Sequence, residues 1–160
     1  MEESEARLEN IVQQLRVRGY RLTPQRMAIL RAVVNSRSHP TAGKIYQQVS
    51  VDFDTISLAT VYKTLNVMKS LGEVVELKVD GCSHYDNNVK PHPHLICVRC
   101  HCIMDLPSET MPGMIEEALD AVGFCALWRD VRIYGLCLNC QGRKKEAVEP
   151  IVNPCLSQTI

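Results

Sequence analysis

The sequence predicts an α/β (α+β) protein that consists of an N-terminal winged helix-turn-helix domain and a small C-terminal α/β domain. Three observations support this division: helical patterns followed by a hairpin signal, a polar segment with two prolines in the middle, and paired C-x-x-C motifs in the second half. The expected parts are residues 1–86 for the winged helix, 87–93 for a hinge, 94–141 for the C-terminal domain and 142–160 for a flexible tail.

Three helices are predicted in the first fifty residues. The first spans about 2–18, because apolar residues recur there with helical spacing, at Leu8, Ile11, Val12 and Leu15. Thr23 and Pro24 predict the start of the second helix, since threonine is a favourable N-cap and proline fits the first helical position. A short third helix is predicted from about Thr41 to Ser50.

The fourth predicted helix begins after Ser57 as its N-cap and stops at Gly72. Its buried face is predicted to consist of the apolar residues with helical spacing, Leu58, Val61, Leu65, Met68 and Leu71. Tyr62 and Lys63 lie off that face. If this helix enters a major groove, Tyr62 could pack on a thymine methyl group and Lys63 could reach a guanine edge or a phosphate. The alternative is an ordinary helical domain with a polar exposed face.

A hairpin and a basic segment complete the winged-helix pattern. Residues 74–79 and 83–86 predict two strands, and Asp80 and Gly81 between them predict the turn. The formal net charge is zero, yet residues 11–50 contain seven basic residues and no acidic residue. They are Arg16, Arg18, Arg21, Arg26, Arg31, Arg37 and Lys44. This distribution suggests a polyanion as partner, with a solvated helix surface as the alternative explanation.

The second half predicts a small mixed sheet. Strands are expected at 94–98 and 103–106, a helix at 111–122, and a third strand at 126–136. Such a small strand–strand–helix–strand unit exposes sheet edges and apolar surface, which a second copy of the chain could cover. We therefore expect this part to be a dimerisation domain.

The cysteines indicate a metal site. The chain has eight cysteines and no signal peptide or apolar run long enough to span a membrane, which favours a reducing, cytoplasmic location. Cys97, Cys100, Cys137 and Cys140 form the pattern C-x2-C-x36-C-x2-C, which suits a tetrahedral zinc ion bound by four thiolates. Four free buried cysteines and a redox disulfide are the alternatives.

A second group of potential ligands contains only imidazoles and carboxylates. His92 and His94 are two residues apart, so that on a strand both would point to the same face. His39, Asp86 and Asp105 join them only if the hinge folds the two halves together. Three nitrogens and two carboxylates without a thiolate suit iron(II) or manganese(II) better than zinc. Metal binding would then favour one relative orientation of the halves.

Several motifs resemble the ferric uptake regulator (Fur) family. They are G-Y-R-L-T-P-Q-R from Gly19, H-P-T-A from His39, S-L-A-T-V-Y-K-T-L from Ser57, H-P-H-L-I-C-V-R-C from His92 and C-L-N-C from Cys137. The resemblance covers roughly residues 10–141. It implies a homodimeric, metal-dependent repressor of transcription that binds double-stranded operator DNA, with one structural zinc ion per subunit at the four cysteines. It also implies DNA contacts by Arg21 in a minor groove and by Tyr62.

Within the family, the sequence is most similar to the peroxide-responsive repressors. Their regulatory ligands, which bind one iron(II) or manganese(II) ion per subunit, match His39, Asp86, His92, His94 and Asp105. The resemblance implies that iron(II) reacts with hydrogen peroxide, that a histidine ligand is oxidised, and that the repressor then loses its metal and leaves DNA. His39 and His92 match the oxidised histidines.

Two other functions are compatible with parts of the pattern. A repressor of the same fold that senses the concentration of iron, zinc, manganese or nickel predicts reversible release by a chelator. A metal-dependent enzyme is the more distant alternative, and we do not expect it because nothing in the sequence resembles a general base outside the ligand set. Cys82, Cys102, Cys125 and Cys155 fit no pattern.

Overall fold

Four helices and a hairpin form the first part of the computed structural model, which describes residues 2–107, 112–127 and 129–142. The helices are α1 (Glu2–Val17), α2 (Pro24–Val34), α3 (Ala42–Val49) and α4 (Leu58–Ser70), followed by the strands β1 (Val75–Val79) and β2 (Cys82–Asp86). Helices α2, α3 and α4 all contact one another, and α1 packs on α2. The order and the bounds agree closely with the elements that the sequence predicts.

Side-chain caps determine where three of these helices begin. Each cap residue has an extended backbone, and its hydroxyl oxygen accepts a hydrogen bond of 3.2 Å from the amide three residues later (Thr23 from Arg26, Thr41 from Lys44, Ser57 from Thr60). Such a cap satisfies an amide that has no partner inside the helix. The two capping residues predicted from the sequence, Thr23 and Ser57, are confirmed, and Thr41 is a third.

The core of the first part is apolar and continuous across the helices. Its fully buried side chains include Ile11, Leu15, Ile29, Leu30, Val33, Ile45, Val61, Leu65 and Met68. One prediction for α4 is wrong: Leu58 is 41% exposed, because the first turn of the helix lies largely outside the core. Thr64 is buried on that face instead, and its hydroxyl donates to the Thr60 carbonyl over 2.9 Å, which satisfies the polar group.

The hairpin has a two-residue turn in which both residues have positive φ angles. Asp80 has φ +49° and Gly81 has φ +76°, and Val79 pairs with Cys82 across the turn. Two positive φ angles are typical of the type I′ turn, whose twist matches that of antiparallel strands. The predicted hairpin is confirmed, and its second strand starts one residue earlier than predicted.

A three-stranded sheet forms the second part. Its elements are β3 (His94–Cys97), β4 (Ile103–Asp105), α5 (Pro112–Ala121), β5 (Arg132–Gly135) and α6 (Leu138–Gln141). The strand order is β4-β3-β5, in which β4 is antiparallel and β5 parallel to β3.

Three predictions for the second part need correction or lie outside the described residues. The strand expected at 126–136 is limited to β5, and the described residues between 126 and 131 are not in a strand. The sequence did not predict α6. Residue 111 of the expected helix and residues 143–160 of the expected tail lie outside the part of the chain that the structure describes.

The two parts touch at the hairpin as well as at the predicted hinge. The Arg132 guanidinium forms an ion pair with Asp130 and donates to the Lys78 carbonyl of β1 over 2.9 Å. Nearby, the His101 ring contacts the Asp80 carboxylate in the hairpin turn. Residues 87–93 contain no helix or strand. Among the described helices, none has the length and apolar character that crossing a membrane requires.

Candidate metal centres

Four cysteine sulfur atoms converge at one end of β3. The thiols of Cys97, Cys100, Cys137 and Cys140 all lie within 4.8 Å of one another, and those of Cys100 and Cys137 are 3.6 Å apart. In a tetrahedral zinc site with bonds of about 2.3 Å, the sulfur atoms are about 3.8 Å apart. All four cysteines are free thiols in the structure. Their arrangement therefore fits a zinc ion.

The parallel pairing of β3 and β5 explains why cysteines so far apart in sequence meet. Cys97 is the last residue of β3 and lies opposite Gly135 at the end of β5. Because parallel strands run in the same direction, the segments that follow them begin at the same end of the sheet. Cys100 lies in the turn after β3, whereas Cys137 caps α6, the short helix that contains Cys140.

The surroundings of these thiols shift their pKa values in different directions. Burial opposes ionisation of Cys97, but amide donors of Cys137, Cys100 and Arg99 outweigh it and lower its pKa to about 5. Burial, together with the neighbouring thiols of Cys137 and Cys100, raises the pKa of Cys140 to about 12. Adjacent thiolates repel one another, so all four can be ionised only if a cation lies between them.

The remaining cysteines in the described residues differ in their surroundings. Cys102 is half-buried and packs against the four-cysteine cluster, and its pKa is raised to about 12, first by burial and then by the thiols of Cys100 and Cys137. Cys82 in β2 and Cys125 after α5 are exposed. Cys155 lies outside the described residues.

The second predicted ligand group also converges. His39 comes from the loop between α2 and α3, Asp86 from the end of β2, His92 from the hinge, His94 from the start of β3 and Asp105 from the end of β4. His92 lies two residues before β3, so the argument that two residues of one strand share a face does not apply to it. The pairing of His94 with Asp105 across β3 and β4 brings two of the ligands together.

Distances between the donor atoms suit a small divalent cation. The Nε2 atoms lie 3.0 Å (His39), 3.2 Å (His92) and 3.8 Å (His94) from Asp105 Oδ1. Asp86 lies 3.3 Å from both His92 and His94 and 3.7 Å from His39. Two donors bound to one metal at about 2.1 Å are about 3.0 Å apart at a right angle and about 3.6 Å apart at 120°. Donor atoms of His39, Asp86, His92 and His94 all lie within 4.8 Å of one another and can face one metal ion, and Asp105 approaches the three rings of this group.

Burial and hydrogen bonding also fit a bound cation. Both ring nitrogens of His39, and Nε2 of His92, are buried and have no hydrogen-bond partner among the described residues. A buried polar atom without a partner destabilises a fold by about 1–3 kcal/mol, and a metal ion would supply the missing partner for Nε2. The His92 Nδ1–H donates to the Lys90 carbonyl over 2.7 Å, which leaves the Nε2 lone pair facing the cluster.

The two carboxylates differ in exposure. Burial alone would raise the pKa of Asp86, but the close rings of His39 and His94 and the Asn88 amide hold it well below its usual range. The Asp105 side chain is 38% exposed, whereas the other four ligand side chains are at most 7% exposed. Solvent therefore reaches the cluster past Asp105.

The residues predicted to contact DNA are exposed. Tyr62 is 44% exposed and Lys63 is also exposed on α4, whereas Arg21 is exposed just before α2. Sequence reasoning did not predict the support that His84 and Asn87 give to the histidine–carboxylate cluster. His84 donates to the His39 carbonyl over 2.9 Å, and Asn87 bonds to the end of α2. No local sequence signal marks these long-range contacts.

Comparison with known proteins identifies the family. Residues 17–134 match the profile of the Ferric uptake regulator family. The chain is 40% identical over 144 residues to the peroxide-responsive repressor PerR of Staphylococcus aureus strain USA300, which covers 89% of this chain and 97% of that protein.

Solved structures agree with this match. The ferric uptake regulator Fur of Helicobacter pylori has a TM-score of 0.77 at 21% identity, covering 86% of this chain and 96% of that one. The Campylobacter jejuni peroxide stress regulator has a TM-score of 0.64 at 30% identity, covering 81% and 98%. These similarities confirm the fold class, a winged helix-turn-helix domain followed by a small α/β dimerisation domain. The chain belongs to the ferric uptake regulator family of metal-dependent repressors.

Proposed function

We propose that this chain is a peroxide-sensing transcriptional repressor. It binds operator DNA as a homodimer while a metal ion occupies the histidine–carboxylate cluster, and it leaves DNA after a histidine of that cluster is oxidised. The observation that carries the proposal is the convergence of three buried imidazoles and two carboxylates, with buried ring nitrogens that lack a hydrogen-bond partner. The similarity to the peroxide-responsive repressor of S. aureus supports the same function.

Each of the two metal sites has its own role in this proposal. The zinc ion at Cys97, Cys100, Cys137 and Cys140, one per subunit, holds the end of the sheet together. The second site at His39, Asp86, His92, His94 and Asp105 is regulatory and takes one iron(II) or manganese(II) ion, because its donors are nitrogen and oxygen without sulfur.

The regulatory site can control DNA binding because its ligands come from both parts of the chain. His39 and Asp86 belong to the predicted winged-helix domain, whereas His94 and Asp105 lie on strands of the sheet. A metal ion bound by all of them favours the closed arrangement. By linkage, whatever favours that arrangement also increases the affinity for metal.

The exposed side of the cluster supports the proposal that His39 and His92 are the histidines that react. An iron(II) ion held by these residues would promote cleavage of the oxygen–oxygen bond of hydrogen peroxide, with one oxygen atom added to a histidine ring and the other leaving as water. Solvent reaches the cluster at Asp105, and the rings of His39 and His92 lie nearer to that carboxylate than the ring of His94 does, at 3.0 and 3.2 Å against 3.8 Å. We therefore assign oxidation to His39 and His92, whose altered rings bind the metal less well.

Helix α4 is the proposed DNA-reading element. Tyr62 and Lys63 are exposed on it, and Arg21 precedes α2 in the basic segment 11–50. In a winged helix-turn-helix, the exposed face of this helix enters the major groove, and basic residues around it contact phosphates.

Dimerisation through the second part is supported by its exposed apolar surface. β5 is an edge strand, and Phe124, Leu127 and Leu138 are 62%, 95% and 86% exposed. Edge strands and apolar patches of this kind are covered in stable assemblies. A second copy of the chain provides a symmetric partner.

Peptide mass spectrometry tests the peroxide mechanism. The iron(II)-loaded protein is treated with a small dose of hydrogen peroxide, and a manganese(II)-loaded sample serves as the control. We expect a gain of one oxygen atom on the peptides that contain His39 or His92, in the iron sample only. Intact histidines, together with DNA binding that follows metal concentration, would refute peroxide sensing and identify a metal-concentration sensor of the same fold.

A further inference from the structure

The regulatory ligands of the first part, His39 and Asp86, lie on two chain segments that run side by side. The backbone around His39 is attached to β2: the His84 ring donates to the His39 carbonyl over 2.9 Å, and the Tyr85 amide donates to the Pro40 carbonyl over 3.0 Å. Asp86 is the next residue of β2. These contacts hold the loop on the side of His39 that leads to α3.

Asn87 attaches the other side of the same loop. Its side-chain Nδ2 lies within hydrogen-bond distance of three carbonyl oxygens, those of Val33 (2.8 Å), Val34 (3.0 Å) and Ser36 (2.8 Å). An amide group has two hydrogens, so three acceptors share two donors. The bonded carbonyls belong to the end of α2 and to the segment that leads to His39. Asn87 directly follows the ligand Asp86, and its side chain is thus bonded to the chain segment that precedes the ligand His39.

The backbone after Asn87 orients the Asp86 carboxylate. The Asn88 amide donates to Asp86 Oδ1 over 2.8 Å, and Asp86 Oδ2 faces the rings of His92 and His94, each at 3.3 Å. A rotation of the chain at Asn87 would therefore move Asp86 away from the other ligands. The Asn87 amide resists that rotation because it is bonded to α2.

We infer that Asn87 is a positioning residue, which holds His39 and Asp86 in ligand geometry before a metal ion binds. This inference rests on the proposed function, since it assigns the regulatory metal to these residues. Without the Asn87 amide, the bonds of His84 and Tyr85 still hold the side of the loop that leads to α3, but the segment between α2 and His39 loses its bond to Asn87, and metal binding must order it. Mutation of a residue that forms a hydrogen bond with a metal ligand commonly lowers the metal affinity by about 10- to 100-fold.

Manganese(II) binding to the full-length, zinc-loaded protein tests the inference. Free manganese is measured from its paramagnetic resonance signal, and DNA affinity is measured at saturating manganese. The variants are Asn87→Ala, Asn87→Asp and the control Val89→Ala. Asn87→Asp keeps the shape but replaces the donor with a carboxylate that faces carbonyl oxygens. The control shortens a side chain of the same loop that is 43% exposed, and it leaves the bonds of Asn87 and Asn88 in place.

We expect manganese affinity to fall about tenfold or more in Asn87→Ala, and at least as much in Asn87→Asp. The control should bind manganese as the wild type does, and DNA affinity at saturating manganese should be the same in all variants. If Asn87→Ala does not fold, as judged from its zinc content and helicity, Asn87→Ser retains one hydroxyl donor and replaces it in the comparison. A lower manganese affinity in both Asn87→Ser and Asn87→Asp would then support the inference.

Two results would overturn it. One is an unchanged manganese affinity in the Asn87 variants. The other is a DNA affinity that falls by the same factor as the manganese affinity even at saturating manganese. This would mean that Asn87 supports the winged helix as a whole. Wild-type protein that fails to bind manganese would overturn the proposed function as well. Wild-type protein that binds manganese without a gain in DNA affinity would overturn the proposed function alone.

Discussion

Replacement of Cys137 by serine should unfold the second part of the chain and leave the first part folded. Cys137 is buried, caps α6, and lies 3.6 Å from the Cys100 sulfur. Serine has almost the same shape but is a poor zinc ligand at neutral pH. The variant therefore removes one thiolate from the proposed tetrahedral site while it keeps most of the packing.

The magnitude follows from how little apolar core supports the second part. Among the side chains of this part that the structure describes, Ile96 is the one buried apolar side chain besides the cysteines. Burial of one isoleucine contributes about 1.5–3 kcal/mol. A structural zinc ion contributes about 10–16 kcal/mol in small zinc domains at neutral pH. The contribution of zinc is therefore several times that of this buried isoleucine, whereas the first part has an apolar core of its own.

Zinc content, circular dichroism and size-exclusion chromatography together provide the assay. We expect Cys137→Ser to contain no zinc, to keep the helical signal of the first part, and to elute as a monomer or an aggregate. Cys125→Ser is the matched control, because Cys125 is exposed and lies outside the cluster. A Cys137→Ser protein that is folded, dimeric and free of zinc would refute the structural role of the metal.

Three further predictions concern the regulatory site, the DNA contact and the contact between the two parts. Asp105→Ala should abolish metal-dependent DNA binding and leave the zinc content intact; simultaneous loss of zinc would show that the two sites are not independent. Lys63→Ala should weaken DNA binding and reduce the slope of its salt dependence by about 1, whereas Lys90→Ala outside α4 should not, and an equal slope would exclude Lys63 from the phosphate contacts. Arg132→Ala removes the donor to the Lys78 carbonyl and should raise the metal concentration needed for half-maximal DNA binding, without a change at saturating metal. An unchanged midpoint in that titration would argue against a role of this contact in closure.

Local signals explain which elements could be predicted from the sequence. Thr23, Thr41 and Ser57 cap their helices through bonds that span three residues, and the turn at Asp80 and Gly81 depends on two backbone angles. These features depend on residues that are close in sequence, so periodicity, capping preferences and turn preferences are sufficient to predict them. Spacing also predicts the four zinc-ligand candidates and the pair His92 and His94, whereas His39, Asp86 and Asp105 are assigned through the resemblance to the Fur family.

Features that depend on distant partners were not predictable in the same way. Leu58 belongs to the apolar spacing of α4, but the core does not extend to it, and Thr64 takes a buried position instead. The bonds of Asn87 to α2 span about fifty residues of sequence, and a lone asparagine in a polar loop gives no sign of them.

Strand β3 has only four residues, with His94 at its start and Cys97 at its end. The two α-carbons are about 10 Å apart in an extended strand, so a proposed ligand of each metal lies on the same short, stiff segment. Under the proposed assignments, this proximity imposes an order of maturation. A newly made subunit must acquire zinc before β3 is fixed, and only then can His94 meet Asp86 and Asp105. In a cell depleted of zinc, new subunits would remain insensitive to peroxide however much iron is present, so zinc supply would limit the number of working sensors.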